Sequence, residues 1–390
     1  MAAVVPEPTP VEVLASLLLG PGANVPELPP PPEGGVRGAI EQAVLPALLR
    51  RPCVVSFSGG RDSSAVLAVA VEVARRHGLP DPVPVMMRFP GAPETDETAW
   101  QDRVLAHLGV SDAEVLSLAD ELDALGPIAT AVLRRHGVRW PANAYMHVPI
   151  IRVAAGGSLL TGAGGDELLG TRAAAHVLLA HGCAPLGMRS VRAAVAAALP
   201  RRVRELRLRK GMPGARWLTP AGNALVRQAL AREEIGWPNR WNASIGHWRR
   251  SRAFAAVDRG IALVAEGADV HVVNPLIDPA VLAALARAGG PTGFRGRGSA
   301  MRCLVGDLLP DALLDRPTKA IFSSPFWGPG ARAFGAAWDG RGVDRRHVDV
   351  EALRREWAAP HPDFRTGMLL HAAWVASRNP AEDQTRASSS

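Results

Sequence analysis

The chain has 390 residues, 47% of them hydrophobic, and a formal net charge of +7. That supplies enough apolar material for one large or two modest cores, while no single apolar run reaches the length of a membrane span. Lys210 and Lys319 are the only lysines, so the positive charge is almost wholly guanidinium; a GC-biased genome writes arginine for lysine, and the charge alone makes no case for a nucleic-acid partner.

Residues 1–35 form a proline-rich leader or linker, with PEPTP and ELPPPPEGG around a short apolar stretch at 13–19 that lacks the positive flank of a targeting signal. From Arg37 the pattern turns helical, with Ile40, Ala43, Val44, Ala47 and Leu48 on one face; Pro46 is expected to kink or shorten it before Arg51-Pro52. The strand CVVSFS follows, then a glycine turn and a helix over 62–77, stopped by Gly78 and Pro80. PVPVMMRFP reads as a second strand, and TDETAWQDRVLAHLG as a helix with Asp96 and Glu97 in its first turn. A strand near 113–118, helices over 120–136 and 145–155, and the strand GSLLTG come next, the last entering a second glycine turn, AGGDELLG. This alternation predicts an α/β fold, a doubly wound parallel sheet that binds ligands at the carboxyl ends of its strands.

Residues 171–378 read as a mainly helical C-terminal portion. Within them the basic segment RSVRAAVAAALPRRVRELRLRKG is either a solvated helix face or a dock for an acidic partner. Cys53, Cys183 and Cys303 are odd in number and far apart, which argues against a disulfide framework or structural zinc and for reduced thiols in a cytoplasm.

The two glycine turns carry the chemistry. A strand–glycine turn–helix unit leaves backbone N–H groups unpaired at the helix start, where the aligned peptide dipoles favour negative charge. In SGGRDSS, Gly59 and Gly60 let the backbone approach an anion, and Ser58, Ser63 and Ser64 add hydroxyl donors. Asp62 would repel a phosphate unless a divalent cation lies between them.

SGGRDSS matches the pyrophosphate loop of the N-type ATP pyrophosphatases. With LLTGAGGDELLG a hundred residues on, it resembles the synthetase domain of the asparagine synthetase family, which includes β-lactam synthetases and lasso-peptide cyclases. VVNPLIDPAVLAALA looks like that family's Pro-Phe-Leu-Asp segment, with Asp278 at its aspartate, and MRCLVGDLLPDALLDRPTKAIFSSPF like its closing Arg…Leu-Pro…Arg-x-x-Lys element. The resemblance spans residues 37 to about 330 and implies an adenine nucleotide alpha hydrolase-like fold. It gives a synthetase domain over 36–330 and leaves 331–390, with Trp338, Trp357 and Trp374, as a helical extension with a disordered end.

It implies ATP and Mg2+, the metal held by Asp62 and Asp166. Around the nucleotide it implies Ser56, Ser58, Gly59, Gly60, Ser63, Ser64, Met87, Gly162, Gly164 and Gly165. Ser56, Phe57, Met87 and Arg88 mark the strand ends expected to meet adenine. Lys319 falls where the family carries a lysine over the phosphates, and a chain that otherwise writes arginine keeps a compact ammonium there. Arg302 matches an arginine that either reaches the phosphates or braces the fold.

The implied reaction is adenylation of a carboxylate, with pyrophosphate released, followed by amine attack to give an amide and AMP. Fewer than sixty residues precede SGGRDSS and the chain opens Met-Ala-Ala, so ammonia from glutamine would need a separate glutaminase. Three residues before the second aspartate the family carries a glutamate or a tyrosine that serves the amine's proton transfer; this chain has Ala163, leaving Glu167, His147 and Tyr145 as candidate acceptors. These departures favour amide formation on a peptide or small-molecule carboxylate and amine in natural-product biosynthesis, with a precursor-peptide-binding protein as a further partner. The alternatives are ammonia-dependent asparagine synthesis and a non-catalytic ATP-binding scaffold.

Overall fold

The computed structural model describes residues 5–22, 24–170, 195, 199–316 and 322–378. Its centre is one sheet of five parallel strands, β1 (Cys53–Ser56), β2 (Val83–Arg88), β3 (Glu114–Ser117), β4 (Ser158–Leu160) and β5 (His271–Val273), in the order β3-β2-β1-β4-β5. The chain runs outward from β1 to β3, then returns to lay β4 on the other side of β1. The loops after β1 and β4 therefore leave in opposite directions and open a crevice at the strands' carboxyl ends.

Side chains alternate across the pleat, so each strand feeds both faces. Cys53, Val55 and Phe57 join the core beneath helices α2 (Gly35–Leu48) and α3 (Arg61–Arg76), which follow the short leader helix α1 (Pro10–Ala15). Val54, Val85 and Leu159 pack on the opposite face with Ile150, Ile151 and Ile261. Helix α3 is buried on nearly all sides, since α2 and the helix Arg297–Val305 cover what the sheet does not. Pro46 lies in the last turn of α2, which ends at Leu48.

Two expected helices start later than their periodicity suggests. Residues 120–126 form turns, and the helix runs Pro127–His136, with Gly126 as N-cap and proline at its first position. Asp123 accounts for the difference: its carboxylate accepts from the backbone N–H of Leu125 and Ala331, each at 3.0 Å, which ties this loop to the helix Pro329–Ala337. Likewise α4 spans Thr98–Leu108, with Glu97 as its N-cap residue rather than in its first turn.

The leader packs on the domain: Val5 and Leu18 cluster with Ala256, and buried Glu12 accepts from Arg252 at 2.9 Å. The chain beyond residue 330 is equally tied in. Trp338, Trp357 and Trp374 share a cluster with Trp217, Trp327, Ala124 and Leu125. The backbone N–H of Asp349 donates to the Trp217 carbonyl at 3.0 Å. Of the basic segment, residues 201–211 form a helix with no buried residue, packed along Pro220–Gly236; most of the rest lies outside the described residues. Among the described residues no helix is long and apolar enough to cross a membrane, and Cys53 and Cys303 are free thiols.

Candidate functional site

A hollow of about 300 Å3 opens where the sheet order reverses. Its charged end is built by the two glycine turns. Gly59 has φ +78°, and a Cβ there would also meet Gln101 Cγ at 2.8 Å, so the turn into α3 needs glycine twice over. Gly60 then caps α3 in extended conformation. Ser63 Oγ accepts from the Ser58 N–H at 3.2 Å and donates to the Gly60 carbonyl at 3.1 Å, which holds the loop in a tight ring.

The second turn is pressed against the first. A Cβ on Gly162 would lie 2.9 Å from Ser63 N, and one on Gly165 would lie 2.4 Å from Asp62 Cγ. Thr161 fixes this turn to the neighbouring strand by bonding Asn274 at 2.6 Å while accepting from the Ala163 N–H at 3.1 Å. The helix Gly165–Gly170 carries Asp166 at its start, and Asp62 lies on the first turn of α3. The two carboxylates converge on one side chain: Arg297 gives one guanidinium nitrogen to Asp62 and another to Asp166. Burial works against the Arg297 charge, but Asp62 and Asp166 outweigh it and raise its pKa. Arg61, close by, is pushed the other way, by burial and then by repulsion from Arg297.

A second arginine forms the wall behind. Arg316 donates to the Gly59 carbonyl at 2.8 Å, pairs with buried Glu97 at 2.6 Å, and lies 4.7 Å from the Trp100 ring centre. With side-chain exposures of 4% and 6%, Arg316 and Glu97 are shielded from solvent, so the pair is a buried one and removing either charge is costly. The opposite wall is apolar, made by Phe57, Val85, Met87, Met146 and Ile150, with His147 beside them.

Of the residues expected at the site, Ser56, Ser58, Gly60, Asp62, Ser63, Met87, Gly162 and Asp166 line the hollow. Gly59, Gly164 and Gly165 shape the turns from behind, with Gly164 at φ +84° and no room for a Cβ against Ile277. Ser64 is 3% exposed and set behind the turn. Arg302 is not part of the hollow: it is exposed and pairs with Asp311 at 2.7 Å and with Asp315, which is the bracing alternative. Asp278 caps the helix Pro279–Gly289 through the Ala280 N–H at 2.8 Å. Lys319 lies outside the described residues.

Arg297 and Arg316 were not singled out from sequence. Arg316 is the arginine of the Arg-x-x-Lys element; for Arg297 the only local signal is an arginine between glycines in FRGRGS. Of the three candidate proton acceptors, Tyr145 is buried, with its hydroxyl donating to the Leu122 carbonyl at 3.0 Å, and Glu167 is exposed and does not line the hollow. Only His147 lines it.

No protein of curated function matches the chain. Among solved structures, NAD+ synthetase from Burkholderia pseudomallei is similar at 17% identity, covering 62% of this chain and 90% of that one with a TM-score of 0.25, too low to bear on function. Residues 35–371, spanning the sheet, both glycine turns and most of the tryptophan cluster, match the asparagine synthase family, and the chain belongs to that family.

Proposed function

We propose that this family member, at the coarse level an ATP-dependent amide-forming ligase, adenylates a carboxylate and passes the acyl group to an amine, releasing pyrophosphate and then AMP. The observation that carries the reading is the convergence of Asp62 and Asp166 on one positive charge beside a helix start and two glycine turns. Two carboxylates are the hard oxygen donors that magnesium takes, and Arg297 already balances them with a cation. Among the described residues no group of three or more His, Cys, Asp or Glu could hold a metal alone, so nucleotide phosphate oxygens would complete the shell. Bound there, Mg2+ would neutralise the charge that builds on pyrophosphate as it leaves.

The chain's own groups supply the rest. The N–H groups at the start of α3 and the hydroxyls of Ser58 and Ser63 can hold phosphate oxygens, with Lys319 assigned to the same phosphates. Ala163 lines the hollow and carries no proton acceptor, which favours a peptide or small-molecule amide over asparagine as the product. A reactive amine held in place can then lose its proton to water.

Pyrophosphate release, screened against amino acids, short peptides and small carboxylic acids, tests the reading. Asp62→Ala, Asp166→Ala and Lys319→Ala are each expected to lose at least ~100-fold in adenylation. Full activity in any of them removes its role; aspartate-dependent AMP release with ammonia would restore asparagine synthesis.

A further inference from the structure

The apolar wall of the hollow contains one polar group that the adenylation chemistry leaves unused. Phe57 directly follows β1 and Val85 lies within β2, while Met87, Met146 and Phe322 pack against the cluster that holds Phe89 and Phe326. His147 follows Met146 at the end of the turn Ala144–His147 and directly precedes the helix Val148–Val153. Proline at the second position of that helix leaves little freedom in the backbone that carries the ring.

The two ring nitrogens differ. Nδ1 is enclosed and has no hydrogen-bond partner, whereas Nε2 is not enclosed in this way, and His147 is one of the residues that line the hollow. A stranded N–H is rarer and costlier in a protein than an under-used acceptor, so the favoured tautomer keeps the lone pair on Nδ1 and the proton on Nε2. Burial also lowers the pKa of His147 to about 4, so the ring stays neutral.

This arrangement argues against proton transfer. A general base normally has its second nitrogen oriented by a carboxylate or carbonyl, and protonated His147 would leave an N–H at Nδ1 with nothing to receive it. A neutral donor on an apolar wall suits a flat, uncharged heterocycle with ring-nitrogen acceptors, whereas phosphates belong at the guanidinium end. We infer that His147 is a base-recognition residue, its Nε2–H donating to a ring nitrogen of the purine seated against Phe57, Val85, Met87, Met146 and Ile150. This inference rests on the ATP reading above.

Equilibrium binding of Mg2+ with ATP, 1-deaza-ATP, 3-deaza-ATP and 7-deaza-ATP to the full chain tests it. The native protein should bind one analogue about fivefold to tenfold more weakly than ATP, the scale of a lost hydrogen bond. His147→Ala should bind ATP at that weaker level and no longer distinguish the analogue; His147→Gln, which places an amide donor near the Nε2 position, should recover part of the difference. If the native protein binds ATP and all three analogues alike, or if His147→Ala discriminates as well as the native chain, the assignment is overturned, and the first of these outcomes needs no variant to fold. If the native protein binds no ATP at all, the nucleotide reading of the hollow fails first and takes the assignment with it.

Discussion

The hollow and the tryptophan cluster are both assembled from segments far apart in sequence, yet different forces hold them. The hollow depends on paired charges, tight glycine turns and backbone N–H groups, and much of it stays open: the Asp166 side chain is 52% exposed. A pair as open as that contributes little to folding because water screens it. The tryptophan cluster is closed off from the surface. Trp357 is 1% and Trp338 3% exposed, and their ring centres lie 4.6 Å apart. Burial on that scale stabilises the fold and supplies no chemistry. The contrast implies that the charged turns can be altered at little cost in stability, and the tryptophans at little cost in chemistry.

The sharpest test of that division is Trp357→Ala, expected to cost about 3–5 kcal/mol in denaturant unfolding. The surviving folded protein should bind ATP normally; lost binding without lost stability would erase the distinction. Glu97→Gln should cross the boundary, because it removes the carboxylate charge that pairs with buried Arg316 in the wall of the hollow. A loss of about 3–5 kcal/mol is expected, together with weaker nucleotide binding, since Arg316 also holds the Gly59 carbonyl.

Asp166→Asn lies on the chemical side. Its unfolding free energy should stay within about 0.5 kcal/mol of the native value, while pyrophosphate release falls at least ~100-fold. The smallest effect is a pH dependence on the packing side. His371 is 2% exposed, with one ring nitrogen 3.0 Å from the Ala124 carbonyl, and burial lowers its pKa from 6.5 to about 4. Below pH 6.5 the unfolded chain takes up the proton and the folded one does not. The contribution of the neutral ring is therefore complete above that pH and is lost as pH falls toward 4, about 2 kcal/mol between pH 7 and pH 5. Unfolding curves at the two pH values should show the loss, and His371→Gln should reduce it by about that amount, leaving the part due to His147, whose pKa burial also lowers to about 4.

Both glycine turns were legible in the sequence because each is a local object. Positive φ, a helix start and hydroxyls within five residues are all written into a short string, and the alternation around them marked the parallel sheet. The later start of the helix at Pro127 was not legible, since Asp123 gains its partner from Ala331, two hundred residues away. Trp338 and Trp357 could be seen as large apolar residues, but nothing in their neighbourhood announced Trp217 as their partner.

The arginines show the limit most plainly. Arg297 and Arg302 stand on one helix, and five residues turn a helix by about 140° beyond a full circle. One therefore faces the two aspartates, and the other faces Asp311 and Asp315. By itself the sequence determined that two acidic turns exist and that each follows a strand, because turn geometry and helix starts are set by neighbouring residues. Only the tertiary structure decided that the turns meet, and which arginine lies between them, because that depends on how a helix more than a hundred residues downstream is rotated as it packs on the sheet.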